Sequence, residues 1–126
     1  MKLKDCIVKT DNLKPYSPEA HVGTVNRRII GKETVGAENL EVVLGLIDSD
    51  GKAEAHFHTD IEQVIYLIEG RVMVEMWGET QEMGPGDTVY FPPGVKHRVD
   101  VLSKNPAKCL VIYSPPIQSK NTQFER

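Results

Sequence analysis

Short β-prone runs separated by turn residues are the feature that most restricts the fold of this chain. The runs are rich in branched and aromatic residues, as strands are: NRRIIG, NLEVVLGLI, AEAHFH, QVIYLIEG, RVMVEMW, TVYF, HRVDVL and KCLVIY. Turn signals lie between them, namely DSDG, GETQ, MGPGD, PPG and SKNPA. No amphipathic helical pattern of useful length is present. Many short strands at near-regular spacing predict an all-β protein, an antiparallel sandwich or barrel.

The length and composition narrow the class of protein further. A chain of 126 residues predicts one domain over residues 1–126, with its core between about residues 24 and 116. A net charge of -3 gives no electrostatic reason to expect a nucleic-acid partner or an anionic membrane. No apolar run approaches the roughly 20 residues that span a bilayer, and the first residues lack the apolar segment of a secretory signal. With only Cys6 and Cys109, no disulfide framework is expected, which predicts a cytoplasmic setting.

Two of the 4 histidines, His56 and His58, stand one residue apart just ahead of a β-prone run. Residues i and i+2 of a strand point to the same face, so both imidazoles can reach one ion. His97 follows a proline–glycine turn at the start of another alternating run. The three histidines therefore form a candidate metal site. The alternative is a metal-free protein in which they are ordinary polar lining of a cavity.

The two histidine segments resemble the paired motifs of the cupin superfamily. The second family motif is a glycine, five residues, P-x-G, two residues and a histidine, and Gly86, Pro92, Gly94 and His97 match it. The first is a glycine, five residues, H-x-H, three or four residues, a glutamate, six residues and a glycine. The resemblance implies a double-stranded β-helix, the jelly-roll or cupin barrel, of the small Cupin_2 type. It also implies that the histidines bind a metal.

The first motif is matched with a difference that affects the fourth ligand. Leaving six residues before Gly70 places Gln63 in the position of the family's carboxylate, whereas Glu62 has an equally permitted spacing from His58. Parity does not separate the two, because both faces of this strand are apolar. The glycine spacing favours Gln63, binding through its side-chain oxygen, and Glu62 remains the alternative. Two smaller departures are the four residues between Gly51 and His56, and Val101 in place of the family's asparagine.

A Gln63 ligand has consequences for the chemistry. Three neutral imidazoles and a neutral amide would leave a divalent ion with its full charge, which favours a small anionic substrate. Nitrogen and oxygen donors of this kind suit Fe, Ni, Mn, Co or Zn. The resemblance implies isomerase or lyase chemistry on a sugar acid or carbonyl compound, as in the cupins that linearise unsaturated uronates. The alternatives are a quercetin-dioxygenase-like oxygenase, which would recover if Glu62 were the ligand, and a non-catalytic binding protein.

The segment NRRIIGKETV is long for an unprotected edge strand. Cupin barrels of this size commonly pair through the sheet that carries their N-terminal strands, so a homodimer is expected. Arg27 and Arg28 in this segment are interpreted as the charges of an edge strand rather than as substrate contacts. The polar tail from Ile117 to Arg126 is expected to be frayed unless it docks on a partner subunit.

Overall fold

The computed structural model describes residues 1–18, 21–53, 55–117 and 122–124, without the side chains of 21–22, 50–53 and 122–124. Its strands in chain order are β1 (His21–Ile30), β2 (Glu41–Ala53), β3 (His56–His58), β4 (Glu62–Glu69), β5 (Val72–Met76), β6 (Glu79–Met83), β7 (Thr88–Phe91), β8 (His97–Val101), β9 (Ala107–Ser114) and β10 (Thr122–Phe124). A single helical turn, α1 (Lys32–Val35), follows β1, and two short 3-10 turns, Leu3–Cys6 and Thr10–Asn12, precede it.

The strands form two five-stranded sheets, with the orders β1-β2-β9-β4-β7 and β10-β3-β8-β5-β6. The strand pairings described are antiparallel. Because β2 neighbours β9 and β3 neighbours β8, the chain crosses repeatedly between the sheets, as it does in a jelly roll. The predicted double-stranded β-helix is confirmed. No helix among the described residues has the length and apolar character needed to cross a bilayer.

The core lies between the sheets and is made by alternate residues of the strands. In β5, Val72 and Val74 are buried while Glu75 is exposed, as the alternation in the sequence predicted. The buried apolar cluster contains Val43, Leu67, Val72, Val74, Met83, Phe91, Ala107, Cys109 and Val111. Directly opposed residues of paired strands point to the same face, so the registers arrange these side chains in rows.

The inner face of the sheet β1-β2-β9-β4-β7 has one polar row above apolar ones. The row Val43–Val111–Ile65–Val89 crosses four strands, and Gly45–Cys109–Leu67 lies below it. Above it the register aligns Glu41, Tyr113, Gln63 and Phe91 across the same four strands. The buried carboxylate and the buried amide of this sheet, Glu41 and Gln63, therefore lie in one layer, at one end of the core.

The surrounding structure requires a glycine at position 70, the position whose spacing favoured Gln63 as the ligand. Gly70 follows β4 directly and has a φ of 92°, in the left-handed region that side chains rarely adopt. A Cβ atom added there would lie 2.9 Å from Ala107 Cα and 3.0 Å from Ser103 Oγ. Both the turn and the close approach of β9 require a glycine at this position.

One turn prediction was wrong in its position, and another was wrong altogether. GETQ was expected to be a hairpin connection, and β5 and β6 do form a hairpin, but its turn is Trp77 and Gly78, and Glu79–Met83 is already strand β6. Both turn residues have positive φ, 56° and 73°, the combination that suits a tight hairpin, and a tryptophan is an unusual residue there. DSDG was expected to turn the chain, but β2 continues through it. The register steps from Thr24↔Ile47 to Val22↔Lys52, so β2 absorbs the extra residues as an irregularity.

The prediction of a frayed tail was also wrong where the tail is described. Thr122–Phe124 forms β10 and pairs with β3, with Thr122 opposite His58 and Phe124 opposite His56. Residues 118–121 and 125–126 lie outside the described part of the chain. So does Glu54 of the predicted strand AEAHFH, whose last three residues form β3. The tail joins the edge of the histidine strand because that edge has unpaired backbone groups.

Candidate metal centre

The three histidines singled out in the sequence lie together inside the barrel. His56 and His58 come from β3, and His97 begins β8 directly opposite His56. All three are buried, and a ring nitrogen from each lies within 4.8 Å of the others. The ring centroids are 4.5 to 5.5 Å apart. One ion can therefore be reached by all three side chains.

The loop before β8 holds His97 in place. The Nδ1 atom of His97 lies 3.2 Å from the carbonyl oxygen of Val95. In the tautomer that donates to this carbonyl, Nε2 keeps the lone pair that binds a metal. The ring of Phe91 stacks on His97, with centroids 3.9 Å apart and planes 10° apart. The orientation of His97 is thus fixed from two sides.

The same loop is tied to β3 through the glycine of the second motif. The backbone N–H of Gly94 donates a hydrogen bond of 2.8 Å to the carbonyl oxygen of His58. Gly94 has a φ of 77°, which a residue with a side chain adopts only with strain. The proline–glycine turn therefore brings the two histidine segments together.

Gln63 and Glu62 lie on opposite faces of β4. Gln63 is 5% exposed and lies between Phe91 and Tyr113 in the inner polar row. Phe91 stacks on His97, and the ring of Tyr113 lies 5.7 Å from the ring of His58. Gln63 therefore lies on the inner face, between two side chains that pack against His97 and His58. Glu62 is exposed on the outer face, where its Oε1 accepts a hydrogen bond of 2.8 Å from Tyr90.

The amide oxygen of Gln63 gives a test of whether the site fits a metal. Within the described part of the chain, this buried Oε1 atom has no hydrogen-bond partner. A buried acceptor without a partner costs free energy, about 1 to 3 kcal/mol, unless a ligand satisfies it. Three imidazole nitrogens and one amide oxygen are donors that a divalent transition ion accepts. The residues present therefore fit such an ion.

The acidic member of the inner row is already engaged. Glu41 is 2% exposed; its Oε2 accepts a hydrogen bond of 2.9 Å from Arg28 Nε, and its Oε1 one of 3.1 Å from the N–H of Ile117. Arg28 also donates to Glu33 at 2.8 Å and to the Tyr16 hydroxyl at 3.3 Å. The interpretation of Arg28 as an edge charge missed this pairing. Its guanidinium lies at the Glu41 end of the polar row and pairs with that carboxylate.

Sequence reasoning also missed Glu41 and Tyr113, although a signal for both exists. Glu41 has the same parity as Val43 in β2, and Tyr113 has the same parity as Val111 in β9. Each therefore points into the barrel. Burial is the main cause that raises the pKa of the Tyr113 phenol, so this hydroxyl keeps its proton at neutral pH.

Comparison with known proteins identifies the family that the two histidine motifs resemble. The sequence profile of the cupin domain matches residues 43–113, more than half of the chain. An uncharacterized protein of Methanocaldococcus jannaschii, MJ1618, is 27% identical over 120 residues, which are 94% of each chain. The polyketide cyclase RemF of Streptomyces resistomycificus superposes with a TM-score of 0.76 at 24% identity, covering 91% of this chain and 87% of its own. A sugar phosphate isomerase of Silicibacter pomeroyi superposes with a TM-score of 0.75 at 17% identity, covering 95% and 92%. The chain belongs to the cupin family.

Proposed function

We propose that this cupin is a metal-dependent enzyme of the isomerase or lyase type that acts on a small anionic sugar acid or carbonyl compound. The observation that carries the proposal is the buried cluster of His56, His58 and His97, together with the buried amide oxygen of Gln63, which has no hydrogen-bond partner among the described residues. The proposal treats residues 1–126 as one cupin domain. The likeness in fold to a sugar phosphate isomerase supports the same class of chemistry.

His56, His58, His97 and Gln63 would hold the ion, which is Fe, Ni, Mn, Co or Zn. When bound, a divalent ion supplies positive charge that stabilises negative charge on substrate oxygens. The side chains of this ligand set are neutral, and the nearest buried carboxylate of the inner row, Glu41, is paired with Arg28. Among the described residues, neither the four donor side chains nor Glu41 leaves an unpaired negative charge in this layer of the barrel.

The chain's own residues hold the histidines in place and bury them. Phe91 covers one face of His97, and the apolar row Val43–Val111–Ile65–Val89 closes the barrel beneath the polar row. Fixed groups in a site that excludes water stabilise developing charge more than mobile solvent does. An isomerisation in which a proton leaves one carbon and returns elsewhere in the same molecule needs no co-reactant. Because no co-reactant is needed, a site that binds and orients its substrate is sufficient for such an isomerisation.

Two other reactions remain candidates, and one observation bears on each. A dioxygenase of the quercetin type was expected to use Glu62, but Glu62 lies on the outer face and is bonded to Tyr90. This position counts against the oxygenase. A polyketide cyclase is favoured by the likeness in fold to RemF, and a cyclase would also act on an enolisable carbonyl compound. A non-catalytic binding protein is the third alternative.

The test is metal analysis of the purified protein followed by a substrate screen with and without oxygen. We expect about one transition ion per chain and anaerobic turnover of an unsaturated uronate or similar sugar acid, with solvent deuterium entering the product. His58→Ala is the control that must lack both. Oxygen consumption with a flavonol would support the oxygenase, and ring closure of a poly-carbonyl chain would support the cyclase. Saturable binding without turnover would leave only the binding protein, and protein without any metal would refute the proposal.

A homodimer is part of the same proposal. The outer face of the sheet β1-β2-β9-β4-β7 has two rows that are largely apolar: Val42, Ile112, Val64 and Tyr90, and Leu44, Leu110, Tyr66 and Thr88. Leu46 extends this face and is 43% exposed. A contiguous exposed apolar face marks a site of association, and a second copy related by a twofold axis would cover it. Light scattering at micromolar concentration tests this, and a monomer would refute it.

A further inference from the structure

Tyr113 occupies a position in the barrel that neither cupin motif includes. In the inner row it lies directly beside Gln63, on the side opposite Phe91. Its ring meets the ring of His58 nearly edge-on, with centroids 5.7 Å apart and planes 84° apart. The ring is therefore packed against one histidine and beside Gln63 in the inner row.

No hydrogen bond within the described part of the fold uses the hydroxyl of Tyr113, in contrast to the hydroxyl of Tyr16, which accepts one from Arg28. Its row neighbour Glu41 already accepts hydrogen bonds from Arg28 and from Ile117. Tyr113 is only partly buried, and its hydroxyl is not one of the buried polar atoms that lack a partner, so the group is open to water or to a ligand. A phenol is neutral at neutral pH, so the hydroxyl of Tyr113 can donate one hydrogen bond without adding charge to the site.

We propose that Tyr113 donates its hydroxyl to an oxygen of the anionic substrate beside the histidine cluster and so orients that substrate. The inference rests on the proposed function, since it assumes a small oxygen-rich anion in this site. On the other side of Gln63, Phe91 has no group that could donate. The polar row therefore contacts the substrate asymmetrically, and a compound without an oxygen on the Tyr113 side would leave the hydroxyl unpaired and bind poorly.

The experiment compares Tyr113→Phe with the unchanged full-length protein, both loaded with Mn²⁺, using D-galacturonate as the probe. The variant keeps the ring against His58, so the Mn²⁺ stoichiometry and the melting temperature should not change. The dissociation constant for galacturonate, measured by calorimetry, should rise about tenfold, the effect of losing one hydrogen bond to a charged ligand. Relaxation of the galacturonate protons by Mn²⁺ should also change its pattern, because the ligand rotates when its anchor is lost. Tyr66→Phe, on the outer face, is the matched control and should alter neither measurement.

The outcomes separate the two proposals. Equal galacturonate affinity and an unchanged relaxation pattern in Tyr113→Phe would overturn the role of Tyr113 and leave the proposed function standing. A wild-type protein that binds Mn²⁺ but shows no saturable binding of galacturonate would overturn both. A loss of Mn²⁺ in Tyr113→Phe would assign the residue to holding the histidines, which also contradicts the inference.

Discussion

The two faces of the sheet β1-β2-β9-β4-β7 are made by alternate residues of the same strands, and they differ sharply. The inner face has a row with Glu41, Tyr113 and Gln63 above apolar rows that are closed off from solvent. The outer face is apolar along most of its length and still exposed, as Leu46 and Tyr66 are. The inner face has the residues expected of a site, and the outer face has those expected of an interface.

The difference explains why neighbours in sequence can have unrelated roles. Glu62 and Gln63 are adjacent, yet one is exposed beside Tyr90 and the other is buried beside Tyr113. A strand that is apolar on both faces gives no sign of which face is inside. In β4 the apolar outer face is the reason that parity alone could not choose between these two residues.

The largest expected effect comes from removing a histidine of the inner site. His58→Ala should weaken metal binding on the order of 100-fold or more, because it deletes one of four donors. Metal content by mass spectrometry and a chelator competition measure this effect. Glu62→Gln, which alters an exposed side chain on the outer face of β4, should leave the metal content unchanged. Equal metal content in the two variants would contradict the assignment of the site.

The next effect concerns the outer face alone. Leu110→Glu places a charge between Leu44 and Tyr66 in the proposed interface and should weaken dimerisation on the order of 100-fold, since a charge buried without a partner is strongly unfavourable. Sedimentation velocity across a dilution series measures the change, and metal content should stay the same. Leu102→Glu is the matched control, because Leu102 is 48% exposed but lies in the loop after β8. If both variants dimerise equally, this face is not the interface.

Much of the fold and of the histidine cluster could be predicted from the sequence. Alternation in RVMVEMW located Val72 and Val74 in the core, and the cupin motifs brought His56, His58 and His97 to one site. Local signals were sufficient there, because period-two burial and turn residues are properties of short segments.

Predictions failed where long-range pairing decides the structure. DSDG continues β2 because β1 pairs with it on both sides of the irregularity, which no local pattern reveals. The tail forms β10 because β3 has a free edge. Arg28 and Glu41 pair across 13 positions in sequence, and only the register of β1 with β2 brings them together.

A smaller effect tests the difference between adjacent residues in β4. Gln63→Glu adds a negative charge beside the histidines and should tighten metal binding by about tenfold, while it weakens binding of an anionic ligand by a similar factor. Glu62→Gln, one residue away on the outer face, should change neither. Calorimetry with Mn²⁺ and with galacturonate measures both quantities. A larger effect from Glu62→Gln would make Glu62 the ligand and restore the oxygenase alternative.

The smallest effect concerns the two thiols, Cys109 on the inner face of the sheet and Cys6 in the exposed segment before β1. Burial raises the pKa of Cys109 from 9.0 to about 11, and Cys6 is exposed. Since the thiolate is the reactive form, Ellman's reagent at pH 8 should modify one thiol per folded chain and both in guanidinium chloride. Cys6→Ser should react only after unfolding. Rapid reaction of folded Cys6→Ser would mean that the inner face opens to solvent.

The same pKa shift predicts how stability depends on pH. The folded state holds the Cys109 proton more tightly than the unfolded state, whose thiol ionises near 9.0. As pH rises from 9.0 towards 11, the unfolded state therefore binds fewer protons, and the free energy of unfolding falls. Other groups titrate in this range, so the measurement is a difference. The urea midpoint of the wild-type protein should fall more between pH 8 and pH 10 than that of Cys109→Ala, because the variant lacks the thiol. Equal falls would show that Cys109 titrates as an exposed thiol does, and that the inner face beneath the polar row is not sealed from solvent.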